Sequence, residues 1–93
     1  MAGVTLAVVA RIPPAGVADF QAYEARVLPL LADHGGTLER RLRNADGTVE
    51  VHVLSFSSRD GLDRFRRDER RVEAAPLLQR SGATMELMEL EDV

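Results

Sequence analysis

Ninety-three residues at a formal charge of −3 leave room for one small domain, and the absence of Cys excludes a disulfide frame, a thiolate nucleophile and a cysteine-bound metal. With 45% hydrophobic but only 4% aromatic residues, the core must be built from Val, Leu and Ala. All twelve basic residues are Arg, yet the balance is acidic and no stacking aromatics mark the strands, so nucleic acid is not an expected partner.

The first element is "VTLAVVARI", Val4 to Ile12, rich in β-branched residues and apolar at both parities until Arg11. That is the pattern of a strand covered on both faces. Although apolar, the run is too short to span a bilayer and lacks a basic leader, so no membrane association and a cytoplasmic location are expected. Pro13, Pro14 and Gly16 end it. From Val17 the spacing of Phe20, Tyr23, Val27, Leu30 and His34 is that of one helical face, predicting a helix from about Val17 to His34. Pro29 should bend or tighten it, and Gly35 and Gly36 should close it. His34, in the last turn, reads as a residue favoured by the negative helix end rather than as a catalytic group. No Ser, Cys or Asp stands at a motif-defining spacing from it.

"TLERRLR" and "TVEVHVLSF" both alternate and are separated by "NADG", which predicts a hairpin closed by Asn44 and Thr48. That closure sets Leu42 against Glu50, Arg40 against His52 and Leu38 against Leu54 on one face. Glu39, Arg41 and Arg43 then lie on the other face with Val49, Val51 and Val53. Ser57 and Ser58 are N-cap candidates for a second helical region with Leu62, Phe65, Val72, Leu77 and Leu78 on its apolar side. Asp68 and Pro76 are expected to interrupt it. After Gly82, "TMELMELEDV" alternates as a last strand.

The order β-α-β-β-α-β over one domain, residues 1–93, predicts an α+β ferredoxin-like sandwich with an antiparallel four-stranded sheet and both helical regions on one face. The right-handed crossover rule puts the first and third strands in the middle. Because the first strand is apolar on both sides, the open face calls for a cover. The simplest is a second copy of the chain.

"FQAYEARVLPLLADHGGTLERRL" followed by "EVHVLSFSSRDGLDRFRRDER" resembles the dimeric α+β-barrel superfamily, which includes antibiotic-biosynthesis monooxygenases and uncharacterised families. The resemblance runs from Thr5 to about Leu90 and rests on Tyr23, the His34-Gly35-Gly36 helix exit and Phe56-Ser57-Ser58. It is closest to the uncharacterised members. It implies a homodimeric barrel with a ligand cleft between sheet and helices.

Within that frame Arg40, Glu50 and His52 share a face with Leu38, Leu54 and Phe56, so titratable groups sit among apolar ones. One reading makes Arg40 an anchor for an anionic or phenolic ligand, His52 a proton acceptor or donor, and Glu50 and Phe56 further contacts. The other makes Arg40 and Glu50 an ordinary cross-strand ion pair. Tyr23 either projects its hydroxyl into the same cleft or is core with one hydrogen bond. Neither a metal nor a cofactor is expected, since no phosphate loop, nucleophile elbow or clustered ligands occur. Three functions stay open: binding a small organic ligand, cofactor-independent oxygenation or isomerisation of an aromatic or polyketide-like substrate, and a structural dimer without ligand.

Overall fold

A computed structural model describes residues 3–93. Four strands, β1 (Val4–Arg11), β2 (Gly36–Arg43), β3 (Val49–Phe56) and β4 (Thr84–Leu90), form one sheet in the order β2-β3-β1-β4. Every neighbouring pair is antiparallel, and β1 and β3 are central, as the crossover rule requires. The helices α1 (Val17–Val27), α2 (Arg59–Arg67) and α3 (Glu69–Ser81) supply the second layer. This is the expected ferredoxin-like α+β fold.

The core lies between the layers. Val4, Leu6 and Val8 from β1 and Leu54 and Phe56 from β3 meet Tyr23, Val27, Leu62 and Phe65 from the helices. On β1 the inward residues Val4, Leu6, Val8 and Ala10 are buried, while Ala7 and Val9, pointing the other way, are half-buried. No helix among the described residues covers that outer side. None is long and apolar enough to cross a membrane.

The helical layer departs from expectation in two places. The predicted Val17–His34 helix is α-helical only to Val27; Leu28–His34 continues it as a 3₁₀ segment. Pro29 lacks the backbone donor that an α-turn needs, and the tighter winding follows from that. Gly35, at φ 70°, closes the segment and donates its backbone N–H to Leu31. The second helical region does break at Asp68, which leaves helical geometry and caps α3 by accepting from Arg70 N. Pro76, by contrast, stands inside α3 without interrupting it. Val72, predicted on the buried side, is 62% exposed. The break at Asp68 gives α3 its own phase, so the periodicity read across the break does not apply.

The candidate functional site

Strand β3 carries the site. Its inward residues Glu50, His52, Leu54 and Phe56 are all buried, with Glu50 only 1% and His52 only 2% exposed. Beneath them β1 offers only Ala10, Val8, Leu6 and Val4 in register, so polar partners must come from β2 and the helices.

The β2–β3 pairing differs by one residue from the sequence expectation. Asn44 N donates to Val49 O, so the loop spans Ala45 to Thr48 and is one residue longer than expected. Thr48 is drawn into the turn instead, with both its amide and its hydroxyl donating to Asp46 Oδ1. Gly47 adopts φ 78° at the turn. The consequence is that Arg43 pairs with Glu50, Leu42 with Val51, Arg41 with His52 and Arg40 with Val53. A bulge at Glu39 then restores the expected pairing of Leu38 with Leu54. Arg40 therefore lies on the face opposite Glu50 and His52, and the pairing of Arg40 with His52 is corrected. Leu42 is also outward, and 45% exposed.

Arg41 and Arg43 take the place intended for Arg40. Arg41 donates to Glu50 from Nε at 2.9 Å and Nη2 at 3.3 Å, and Arg43 Nε donates at 2.8 Å. His52 Nε2 lies 2.8 Å from Glu50 Oε1. Burial alone would raise the Glu50 carboxyl, but bonds from Arg41, His52 and Arg43 outweigh it and hold Glu50 at about 2. An ionised Glu50 only accepts, so His52 Nε2 is the donor to it and Nδ1 is the ring nitrogen turned the other way.

Nδ1 faces a second carboxylate. Glu24 Oε2 on α1 is 3.6 Å away, and Glu24 is 3% exposed. Burial is the main force on Glu24, raising it from 4.5 to about 7; Glu50 adds to the rise, while Arg41 and Arg71 oppose it. His52 thus stands between a carboxylate held ionised and one that exchanges its proton near neutrality. Tyr23, one position before Glu24, is buried, and burial raises its hydroxyl too, with the Arg71 guanidinium pulling the other way.

These groups open onto a cleft between the inner face of the sheet and the helices. Its cavity volume is about 60 Å³, and it is continuous with solvent on one side. Leu6, Val8, Val27 and Leu54 make its walls, with Phe56, Leu62 and Phe65; Tyr23, Glu24, His52 and Arg71 supply polar groups. Met85 and Leu87 of β4 line it from the uncovered edge, where they are 39% and 49% exposed. Of the site residues expected from sequence, Tyr23, His52 and Phe56 line the cleft, Glu50 sits behind His52, and Arg40 is elsewhere. Among the described residues no three His, Asp or Glu side chains come together to hold a metal.

Glu24, Arg41, Arg43 and Arg71 were missed. Glu24 was visible in principle: it follows Phe20 by four positions and Tyr23 by one, and so interrupts an apolar helical face with a carboxylate. Arg41 and Arg43 were hidden by the register. Arg71 was hidden in the charged run Asp63 to Arg71, which reads as a solvated helix.

No protein-family profile and no curated protein sequence matches the chain. Solved structures do. SnoaB, a cofactor-independent oxygenase from Streptomyces nogalater, superposes at TM-score 0.79 and 20% identity over 100% of this chain and 95% of that one. Rv0793 from Mycobacterium tuberculosis matches at 0.74 and 18%, over 99% of this chain and 98% of that one. A candidate antibiotic biosynthesis monooxygenase from Caulobacter crescentus matches at 0.76 and 12%, over 98% and 92%. The resemblance read from the sequence is thus borne out as a shared fold.

Proposed function

We propose that the chain binds an aromatic or polyketide-like small molecule in this cleft and removes a proton from it, as the first step of a cofactor-independent oxygenation. The observation that carries this reading is the placement of Glu24, His52 and Glu50 together at the base of an apolar cleft. His52 Nδ1 takes the proton from an acidic O–H or C–H. Glu50 holds the ring orientation and stabilises the imidazolium, and Arg41 and Arg43 keep Glu50 ionised. Glu24 exchanges the proton onward. A deprotonated aromatic is electron-rich, and dioxygen is the oxidant: an activated CH₂ and O₂ become C=O and water, two carbon–hydrogen bonds being lost and both oxygen atoms accounted for. The fold shared with a cofactor-independent oxygenase supports dioxygen as the second substrate.

The test is oxygen uptake and ligand binding with a panel of hydroxy-aromatic compounds. His52→Ala should retain binding and lose turnover by about 10²-fold or more. Turnover unchanged in His52→Ala would refute the proton role, and binding without any oxygen uptake in the wild type would leave a small-molecule-binding module.

The same reading includes a homodimer joined through the outer face of the sheet. What supports it is the half-buried apolar centre of that face, Ala7 and Val9 from β1 with Val51 and Val53 from β3, uncovered by any helix. Arg11, Arg40, Glu39 and Glu86 are exposed around it in both signs, as a self-complementary two-fold contact requires. Light scattering on the wild type should give about twice the 10.2 kDa chain mass. Val51→Arg should give the single-chain mass with helical content retained, and a wild type at the single-chain mass would refute the dimer.

A further inference from the structure

Arg71 stands in the first turn of α3 and lines the cleft. Its guanidinium carbon is 5.2 Å from the centre of the Phe65 ring, so an aromatic face fixes one side of it. Its Nε is buried without a hydrogen-bond partner. Arg41, Arg43 and Arg70, by contrast, are each paired with carboxylates. A buried, charged donor left unpaired is costly, and native structures complete such donors with water or ligand. The opposing wall is apolar, and the nearby carboxyl, Glu24, is directed at His52. The Tyr23 hydroxyl bonds to the guanidinium, but among the described residues no carboxylate pairs with Arg71 and none reaches its Nε.

Resting on the cleft reading above, we infer that Arg71 anchors an anionic group of the ligand, so that the substrate class is a hydroxy-aromatic carboxylate rather than a neutral aromatic. The ring lies in the apolar part of the cleft and presents its ionisable position to His52, while its carboxylate reaches Arg71. Arg66, exposed at the lip, adds positive charge along the entry. Glu24 in its protonated form removes the repulsion that a second carboxylate would otherwise meet.

Isothermal titration at pH 6 with 1-hydroxy-2-naphthoate and 1-naphthol separates the two classes. Wild type should bind the carboxylate at least about tenfold more tightly, the size of one charge-assisted hydrogen bond. Arg71→Met keeps the apolar stem and should lose that preference while holding 1-naphthol as before. Arg71→Lys should restore part of it. Equal affinity of the wild type for the two probes, or a preference that survives Arg71→Met, overturns the anionic site and leaves the cleft reading standing. Failure of both probes to bind overturns the cleft reading, and this inference with it. The wild-type comparison decides the matter even where Arg71→Met does not fold.

Discussion

Replacing Glu24 by Gln should make the protein more stable at pH 8 and remove most of its pH dependence between pH 5 and 7. In the folded chain burial holds this carboxyl at about 7, against an ordinary 4.5. Between those values the unfolded chain has released the proton and the folded chain has kept it, so stability falls as pH rises through the window and levels off above it. At about 1.4 kcal/mol per pH unit the shift amounts to about 3 kcal/mol of stability present at pH 4 and absent at pH 8. Gln has the same shape, stays neutral and can still donate toward His52 Nδ1, so the variant carries none of this loss. For a domain of this size that difference is about 10 °C or more in melting temperature. The assay is thermal unfolding followed by circular dichroism from pH 5 to pH 8 for both proteins. Parallel curves for wild type and Glu24→Gln would refute the burial argument, and with it the claim that a carboxyl beside His52 exchanges its proton near neutrality.

Glu50 works in the opposite sense: held at about 2, it contributes stability that is full above 4.5 and lost as pH falls toward 2. The contribution is about 2 kcal/mol after allowing for solvent around its two arginines, and acid unfolding of Glu50→Gln should lack that portion of the slope. Arg41→Ala should destabilise by about 1–3 kcal/mol through the loss of charged bonds to a buried carboxylate, whereas Arg40→Ala should stay within about 0.5 kcal/mol. Urea unfolding of the two variants checks the register directly, and the reverse order would refute it. Gly61→Ala would drive a methyl carbon into His34 O, forcing α2 off the 3₁₀ segment. A cost of about 1–3 kcal/mol is expected, and a neutral result in the same urea assay would refute the close approach.

The element order was legible because each element announces itself locally. Two prolines and a glycine stop β1, a 3.6-residue spacing starts at Val17, and Ser58 caps α2 by accepting from Gly61 N, as its position before the helix implies. The inward set on β3 was legible for the same reason: strict alternation from Glu50 to Phe56 fixes one face whatever pairs beside it. What could not be read was anything that depends on two elements at once. Glu24 meets His52 only because α1 lies across β3. Arg71 enters the cleft only because Asp68 resets the phase of α3.

The hairpin shows why one strand's alternation misleads. In β2, Leu38 belongs inward because it packs beside the core, while the buried Glu50 is paired with two inward cations, Arg41 and Arg43. Leu38 is even-numbered and the two arginines are odd, so no regular strand can satisfy both demands. Reading "TLERRLR" as a uniform alternation satisfies Leu38 and turns Arg40 and Leu42 toward Glu50, leaving a buried carboxylate facing Leu42. The chain instead admits one extra residue at Glu39 and one in the turn, and each locally irregular step corrects the other. Breaking the ladder at Glu39 leaves one residue unpaired at an exposed strand. Stranding Glu50 without its arginines would cost several kcal/mol, about 3–5 for a buried pair that loses a partner. The bulge follows from that inequality. Its consequence for the site is that His52 faces an ionised carboxylate through Nε2 and turns Nδ1 toward Glu24.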